Sequence, residues 1–224
     1  GHICLITDDG GPTTLTLADQ LLQRGYRIVL LSFPQHIVSR REPLPPEIAQ
    51  VRLQDMSEMH LRQQLVAIST SNGPVGAFIH LNPAWQEALA QQRNSGELKF
   101  LDAEEAVIKH VFMIAKHLMQ PLKAVATKGR AIFLTVTQLD GQFGLGQGVD
   151  ISLLGGGLNG LTKSLNLEWE PVFCRTVDLS QEIEAQQAAY AIIAEMHDPN
   201  RLITEVGYSR QGRMTLVSEE VMGS

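Results

Sequence analysis

The stretch Ile3–Phe33, ICLITDDGGPTTLTLADQLLQRGYRIVLLSF, sets the architecture of this chain. Ile3–Thr7 is an apolar run of strand length. Leu15–Arg24 then places Leu17, Leu21 and Leu22 at helical spacing, with Gly25 as a stop. Arg27–Phe33 reads as a second buried strand. Strand, tight turn, amphipathic helix and strand open a nucleotide-binding α/β domain. In a large class of such domains the turn reads Thr-Gly-x-x-x-Gly-x-Gly. Glycine lets the backbone approach a pyrophosphate, whose charge the helix N-terminus then stabilises. Here Thr7 is present, but the glycine positions hold Asp8, Pro12 and Thr14. An Asp puts negative charge where phosphate would sit, and the side chains of Pro12 and Thr14 are expected to obstruct its approach. The degenerate fingerprint Thr7, Asp8, Pro12, Thr14 predicts a Rossmann-like shell with no cofactor-binding residue of its own.

Outward from this stretch the alternation continues. A Pro-rich loop, Pro34 to Pro46, precedes a short strand at Val51–Leu53 and a helix at Ser57–Ile68 with Ser57 as N-cap. Val75–Leu81 is a fourth strand. The Gln-rich stretch Asn82–Gly96 reads as an irregular insertion. A long helix follows at Ala103–Leu118, its end bent by Pro121. Ala131–Val136 is the fifth strand, and a Gly-rich connecting loop, Asp140–Gly148, leads to a helix at Leu154–Glu168. Cys174–Leu179 and Glu182–Met196 supply the sixth strand and last helix. Thr204–Val217 reads as a hairpin turning at Gln211-Gly212. The whole, residues 1–224, is expected to be a single Rossmann-like domain: a doubly wound parallel sheet covered on both faces, closed by a C-terminal hairpin. The abrupt start Gly1-His2-Ile3, already entering a strand, suggests a piece excised from a multidomain protein.

Composition narrows the function. The formal net charge of −6 and the lack of a long Lys/Arg run argue against a nucleic-acid or anionic-membrane surface. Apolar runs are too short to span a bilayer, and no signal-peptide pattern opens the chain. Cys4 and Cys174 fall in apolar strands, as reduced core residues would in a cytoplasmic protein. Neither a CxxC pair nor zinc-ligand spacing occurs, and no metal site is expected. His80 ends an apolar strand and reads as a hydrogen-bonded core residue. His110 and His117 share a helix without a carboxylate to complete a metal site. Asp8-Asp9-Gly10-Gly11 lacks the spaced ligands of a calcium loop and reads as a capped turn, and Asp55 as a turn residue. The glycines Gly141, Gly144, Gly146 and Gly148 read as a mobile connection. Gly155-Gly156-Gly157 reads as a place of close packing.

The chemistry most natural to this layout is hydride transfer by a short-chain reductase, which uses a Ser after strand five and a Tyr-x-x-x-Lys opening the next helix. The Tyr protonates the carbonyl, and the Lys lowers its pKa. With Gly141 and Leu161 as anchors, the Ser, Tyr and Lys positions hold Gln138, Ile151 and Gly155. The tyrosines, Tyr26, Tyr190 and Tyr208, lie elsewhere, and Lys163 comes two turns late. No catalytic residue is expected.

The segments AIFLTVTQLDGQFGLG (131–146), LLGGGLNGLTKSLNLEWEPVFCRTVDLS (153–180) and RLITEVGYSRQGRM (201–214) resemble the ketoreductase region of type I polyketide and polyunsaturated fatty acid synthases of the A-subunit type. In that family the ketoreductase is split into two Rossmann-like halves, and this chain is similar to the first, non-catalytic structural subdomain. The resemblance implies a partner, the catalytic subdomain of the same polypeptide, which holds NADPH and carries the Ser, Tyr and Lys. It also implies an acyl carrier protein bearing the β-ketoacyl substrate. Two other readings stay open. One is a divergent short-chain dehydrogenase/reductase with its own NADP site, using Thr137 and Lys163. The other is a small-molecule-binding Rossmann module with a pocket around Thr7, Asp8, His80 and Thr137.

Overall fold

Strand and helix alternate as β1 (Ile3–Asp8), α1 (Pro12–Gln23), β2 (Arg27–Ser32), β3 (Ala49–Arg52), α2 (Glu58–Asn72), β4 (Val75–Leu81), α3 (Asp102–Ala126), β5 (Ile132–Thr137), α4 (Gly155–Glu168), β6 (Phe173–Leu179), α5 (Ala185–His197), β7 (Glu205–Ser209) and β8 (Gly212–Met214). The computed structural model describes residues 1–39, 43–85, 102–146 and 154–217. One eight-stranded sheet runs in the order β3-β2-β1-β4-β5-β6-β7-β8. Strands β1 to β7 pair in parallel, and β8 is antiparallel to β7. This is the α/β, Rossmann-like architecture that the sequence predicts, closed by the expected hairpin.

The period of two along each strand feeds two cores. Ile3 and Leu5 of β1 face α2, α3 and α4, whereas Cys4 and Ile6 face α1 and α5. Central strands are buried from end to end, as sandwiched parallel strands must be. Burial pushes the thiols of Cys4 and Cys174 up to about 12, so both are inert core groups.

Local signals set the helix ends. Ser57 Oγ accepts the N–H of His60 at 3.2 Å to cap α2, and Gly73, at φ +97°, closes it. α3 does not stop at Leu118, as the sequence suggested, but runs on through Pro121. The helix continues to Ala126 because Leu122 and Val125 are buried in the core, and that burial outweighs the one hydrogen bond the proline forfeits. β3 starts two residues before its expected position, α2 runs on to Asn72, and α5 begins at Ala185. Most of the Gln-rich insertion lies outside the described residues.

Each βα unit returns its helix against the sheet, so all carboxyl ends of the parallel strands share one edge, called upper below, and their amino ends the lower edge. The chain reverses its winding direction between β1 and β4, which is where such sheets open a ligand crevice.

Candidate functional site

At the mouth of that crevice the β1–α1 turn folds onto itself. One Asp8 carboxylate oxygen accepts the N–H of Gly10 at 2.9 Å, and the other accepts the hydroxyl of Ser32 at 3.0 Å. Asp9 accepts the N–H of Gly11 at 2.9 Å and the Thr14 hydroxyl at 2.6 Å. The capped-turn reading of these acids stands. Amides that a phosphate would need are already bound to the turn's own carboxylates, and Pro12, at the first position of α1, has no N–H to offer.

Thr14 departs from expectation. It is fully buried and turned under the loop, where its Oγ accepts the N–H of Asp9 at 3.1 Å, so it does not project into the crevice. The obstruction comes instead from the segment after β2. A turn at residues 34–38, held by Ile37 and Val38 N–H bonds to the Pro34 carbonyl at 2.9 and 3.0 Å, lays residues 38–39 over Gly10. A Cβ on Gly10 would lie 2.8 Å from the Ser39 carbonyl oxygen and 3.1 Å from Val38 Cγ1. Between this strap and the sheet is a cavity of about 70 Å³ lined by Asp8, Ser32, Phe33, Gln35, Val38 and Arg52.

Deeper in the crevice, Thr7, His80 and Asn82 form a buried chain. Thr7 Oγ1 lies 2.8 Å from His80 Nδ1 and accepts the N–H of Leu81 at 3.0 Å, while His80 Nε2 faces Asn82 Oδ1 at 3.3 Å. An amide oxygen at Nε2 assigns the ring proton to that nitrogen, leaving Nδ1 to accept from Thr7. Burial, foremost, lowers His80 to about 4, so the ring is neutral. His80 is the hydrogen-bonded core residue that its apolar strand predicts. His110 is also buried, edge-on to Phe33 with ring centroids 5.8 Å apart, and among the described residues neither of its ring nitrogens has a hydrogen-bond partner. His117 instead joins Lys116 on Glu58. Asp55 accepts the N–H of Ser57 at 2.7 Å, as a turn residue.

The end of β5, where a reductase carries its Ser, is organised around two acids that sequence reasoning passed over. Asp178 accepts the Thr137 hydroxyl and the N–H groups of Leu139 and Phe143, each at 2.9 Å. Asp140 accepts the N–H groups of Gln142, Gly144 and Gly146 at 2.7 to 2.8 Å. Burial raises the Asp178 carboxyl above the usual range, aided by the Asp140 charge. At Asp140 burial works in the same direction, but the three N–H donors reverse it and hold that carboxyl low. The glycine-rich loop, as far as Gly146, is therefore a pinned structure rather than the mobile connection expected; Gly148 lies outside the described residues. Gly141, at φ +74°, sits so close to β7 that a Cβ there would meet the Tyr208 carbonyl oxygen at 2.3 Å. The available signal was Asp-Gly directly after a strand, with a second Asp ending the next one.

The three positions aligned with the reductase Ser, Tyr and Lys fall as follows. Gln138 follows β5, Ile151 lies outside the described residues, and a Cβ on Gly155 would already stand 3.1 Å from Leu139 Cδ2. Thr137 is committed to Asp178. Lys163 pairs with Glu205 at 3.0 Å, at the lower end of β7, so nothing brings these two together. Among the described residues no group of three or more His, Cys, Asp or Glu is placed to hold a metal ion.

A further polar centre, also unforeseen, lies between β6, α5 and the hairpin. Arg175, fully buried on a strand, donates to Glu195 and Asp198 and to the carbonyls of Asn200 and Ile203. Arg213 of β8 donates to Glu195 at 2.7 Å and to Asp198 at 2.9 Å, and the Tyr208 hydroxyl also donates to Glu195. A charge inside an apolar strand, FCRTV, was the clue.

No protein-family model matches the chain. Two solved structures align over almost their whole length. One is 3-ketoacyl-(acyl-carrier-protein) reductase from Brucella melitensis complexed with NADH, at TM-score 0.66 and 14% identity, covering 91% of this chain and 94% of that one. The other is a variant of actinorhodin polyketide ketoreductase with NADPH, at TM-score 0.65 and 14% identity, covering 92% and 94%. The chain has a ketoreductase-like fold. It is also similar in sequence to the A-type subunit of the polyunsaturated fatty acid synthase of Thraustochytrium sp., 28% identical over 219 residues. That match takes in 95% of this chain but spans only 7% of the relative's length. Among the described residues no helix is long and apolar enough to cross a membrane.

Proposed function

We propose that this chain is the non-catalytic structural half of a β-ketoacyl reductase region in a multifunctional fatty-acid or polyketide synthase. It holds no nicotinamide cofactor. A sister subdomain of the same polypeptide binds NADPH and reduces the β-ketoacyl group presented by an acyl carrier protein. In such a synthase the chain works in the cytoplasm.

The observation that carries this reading is the closed β1–α1 turn. A dinucleotide needs free amides at the helix N-terminus and a cleft on the order of 300 Å³ or more. Asp8 and Asp9 occupy the amides, the strap at residues 38–39 covers Gly10, and the cavity beneath is about 70 Å³, room for a few waters only. The residues present do not fit a dinucleotide. The missing Ser and Lys at Gln138 and Gly155 support the same conclusion. The reading with Thr137 and Lys163 as catalysts loses its support with their separation. The sensor reading loses its pocket, since Thr7, His80 and Thr137 are fully buried and bonded to one another or to neighbours.

The test is NADPH titration, by calorimetry and cofactor fluorescence, of this chain and of a longer piece of its parent polypeptide that includes the sister subdomain. The expected result is no saturable binding by the first and saturable binding by the second. Saturable binding by this chain alone would overturn the reading.

A further inference from the structure

The loop at residues 139–146 closes around two carboxyl groups. Asp178 is fully buried on β6, and Asp140, just beyond β5, is 8% exposed. Between them they accept five backbone N–H groups and the Thr137 hydroxyl. The same residues seat the loop on its neighbours. Asp140 bridges to Ser180, and Gly141 packs against the Tyr208 carbonyl of β7. A Cβ on Gly146 would stand 2.6 Å from Asp140 Oδ2, so the loop is drawn tightly over that acid. Phe143, whose N–H is bound by Asp178, is the one non-glycine residue among the described ones with a left-handed backbone, at φ +59°. Such a conformation persists only where the surroundings enforce it.

The two carboxyls also meet each other through a side-chain hydrogen bond. An ionised carboxylate has no hydrogen to give, so a bond between two of them needs a proton on one. A cation could relieve the pair instead, but the elements around it supply none among the described residues. β5 presents the Thr137 hydroxyl. Lys163, the first charge along α4, pairs with Glu205 at 3.0 Å. On β7 the Tyr208 hydroxyl is given to Glu195, and beyond the strand ends Glu182 and Arg210 pair with each other at 3.0 Å. Arg175 of β6 is bound to Glu195 and Asp198. Two like charges in contact, buried and without a cation, do not both persist.

We propose that Asp140 and Asp178 share one proton at neutral pH, and that this proton is the clasp that holds the 139–146 loop against β7. Asp178 carries it, because Asp178 is the deeper of the two and Asp140 collects three N–H donors, which favour a charge. In alkaline solution hydroxide takes the proton, both acids become charged, and their repulsion frees the loop and lets Phe143 relax. The clasp does not depend on whether the chain binds a nucleotide.

The reporter is the infrared carbonyl stretch of a protonated carboxyl, recorded on the intact chain at about pH 7, where an ordinary aspartate is ionised. The parent spectrum minus that of D178N should contain it; Glu104, raised to about 7 by burial, contributes to both spectra and cancels. D140N should lose the band too, since it removes the second charge, so the comparison survives a D178N that fails to fold. As pH rises to about 9.5, below the lysine range, the band should vanish. Protection of the Phe143, Gly144 and Gly146 amides against hydrogen exchange should fall in step by about tenfold, the equivalent of one charge-assisted hydrogen bond. In D178N that protection should not change with pH. A carboxyl that keeps its proton only in the folded chain gives up stability as pH rises from its unfolded value, about 3.9, to its folded one. The urea midpoint should therefore decline more steeply with pH in the parent than in D178N. The proposal is overturned if the difference band is missing at neutral pH, if it survives in D140N, or if it disappears with the loop amides still protected. Tightening of the loop by Mg²⁺ or Ca²⁺ with no band would put a metal ion between the acids and overturn it equally.

Discussion

Replacing Glu195 by glutamine tests how the hairpin is held. The carboxylate is 2% exposed and bridges Arg175, which is fully buried, to Arg213, which is 37% exposed, while accepting the Tyr208 hydroxyl. E195Q keeps the shape but leaves Arg175 with only the Asp198 carboxylate as counter-charge. Breaking a buried pair from one side costs about 3–5 kcal/mol, because the remaining charge is desolvated without compensation. At this chain length that corresponds to a fall in Tm on the order of 10 °C. An internal comparison removes the common chemistry. E58Q deletes an ion pair with Lys116 whose side chains are 61% and 42% exposed, so solvent already screens it and its cost should be a small fraction of that of E195Q. Urea denaturation followed by circular dichroism gives both numbers, with m required to stay constant. Hydrogen exchange should show the E195Q loss concentrated in residues 205–214. There is also a pH signature. Burial opposes ionisation of Glu195, but hydrogen bonds from Arg213 and Tyr208 and the charge of Arg175 hold its carboxyl below the ordinary range. A depressed folded pKa gives stability that is present above the unfolded value, about 4.3, and lost as pH falls through the folded one. E195Q should therefore flatten the acid limb. A cost for E195Q no greater than for E58Q would contradict this account of the bridge.

Three outcomes follow from other parts of the structure. G207A should cost more than about 3 kcal/mol in the same assay, since a Cβ there would lie 2.0 Å from the Gly141 carbonyl oxygen and one backbone must move. The parent chain should lose stability as pH falls from about 6.5 to about 4. His80 and His110 both stay neutral when folded and take a proton when unfolded, each contributing about 3 kcal/mol of loss, whereas Glu104, raised to about 7 by burial, offsets part of it as pH falls; the net loss is read from the pH dependence of the urea midpoint. H110L should stabilise the chain by about 1 kcal/mol at neutral pH, because it removes two unpaired ring nitrogens from an apolar site, and equal or lower stability would count against that account.

The order of strands and helices, and the covering of the sheet on both faces, were legible in the amino-acid sequence. They follow from periods of 2 and 3.6 in the apolar residues and from capping signals such as Ser57 and Gly73, all of which are local. The absence of Gly, Ser, Tyr and Lys from the positions where reductase chemistry would need them was equally plain. How the space left by those absences is used emerged only when the chain was folded. The strap over Gly10, the acids Asp140 and Asp178 that gather loop amides, and the Arg175–Glu195 bridge bring together parts of the chain that lie far apart along it. No periodicity records such pairings. Thr14 shows the limit most plainly: its identity was a sign against a phosphate site, yet whether it blocked the crevice or turned beneath it depended on Asp9 offering the better hydrogen bond. Pro121 shows the converse, a local breaker overruled by the burial of Leu122 and Val125. Local chemistry fixes what each segment prefers, and the desolvation of distant partners fixes which preference survives.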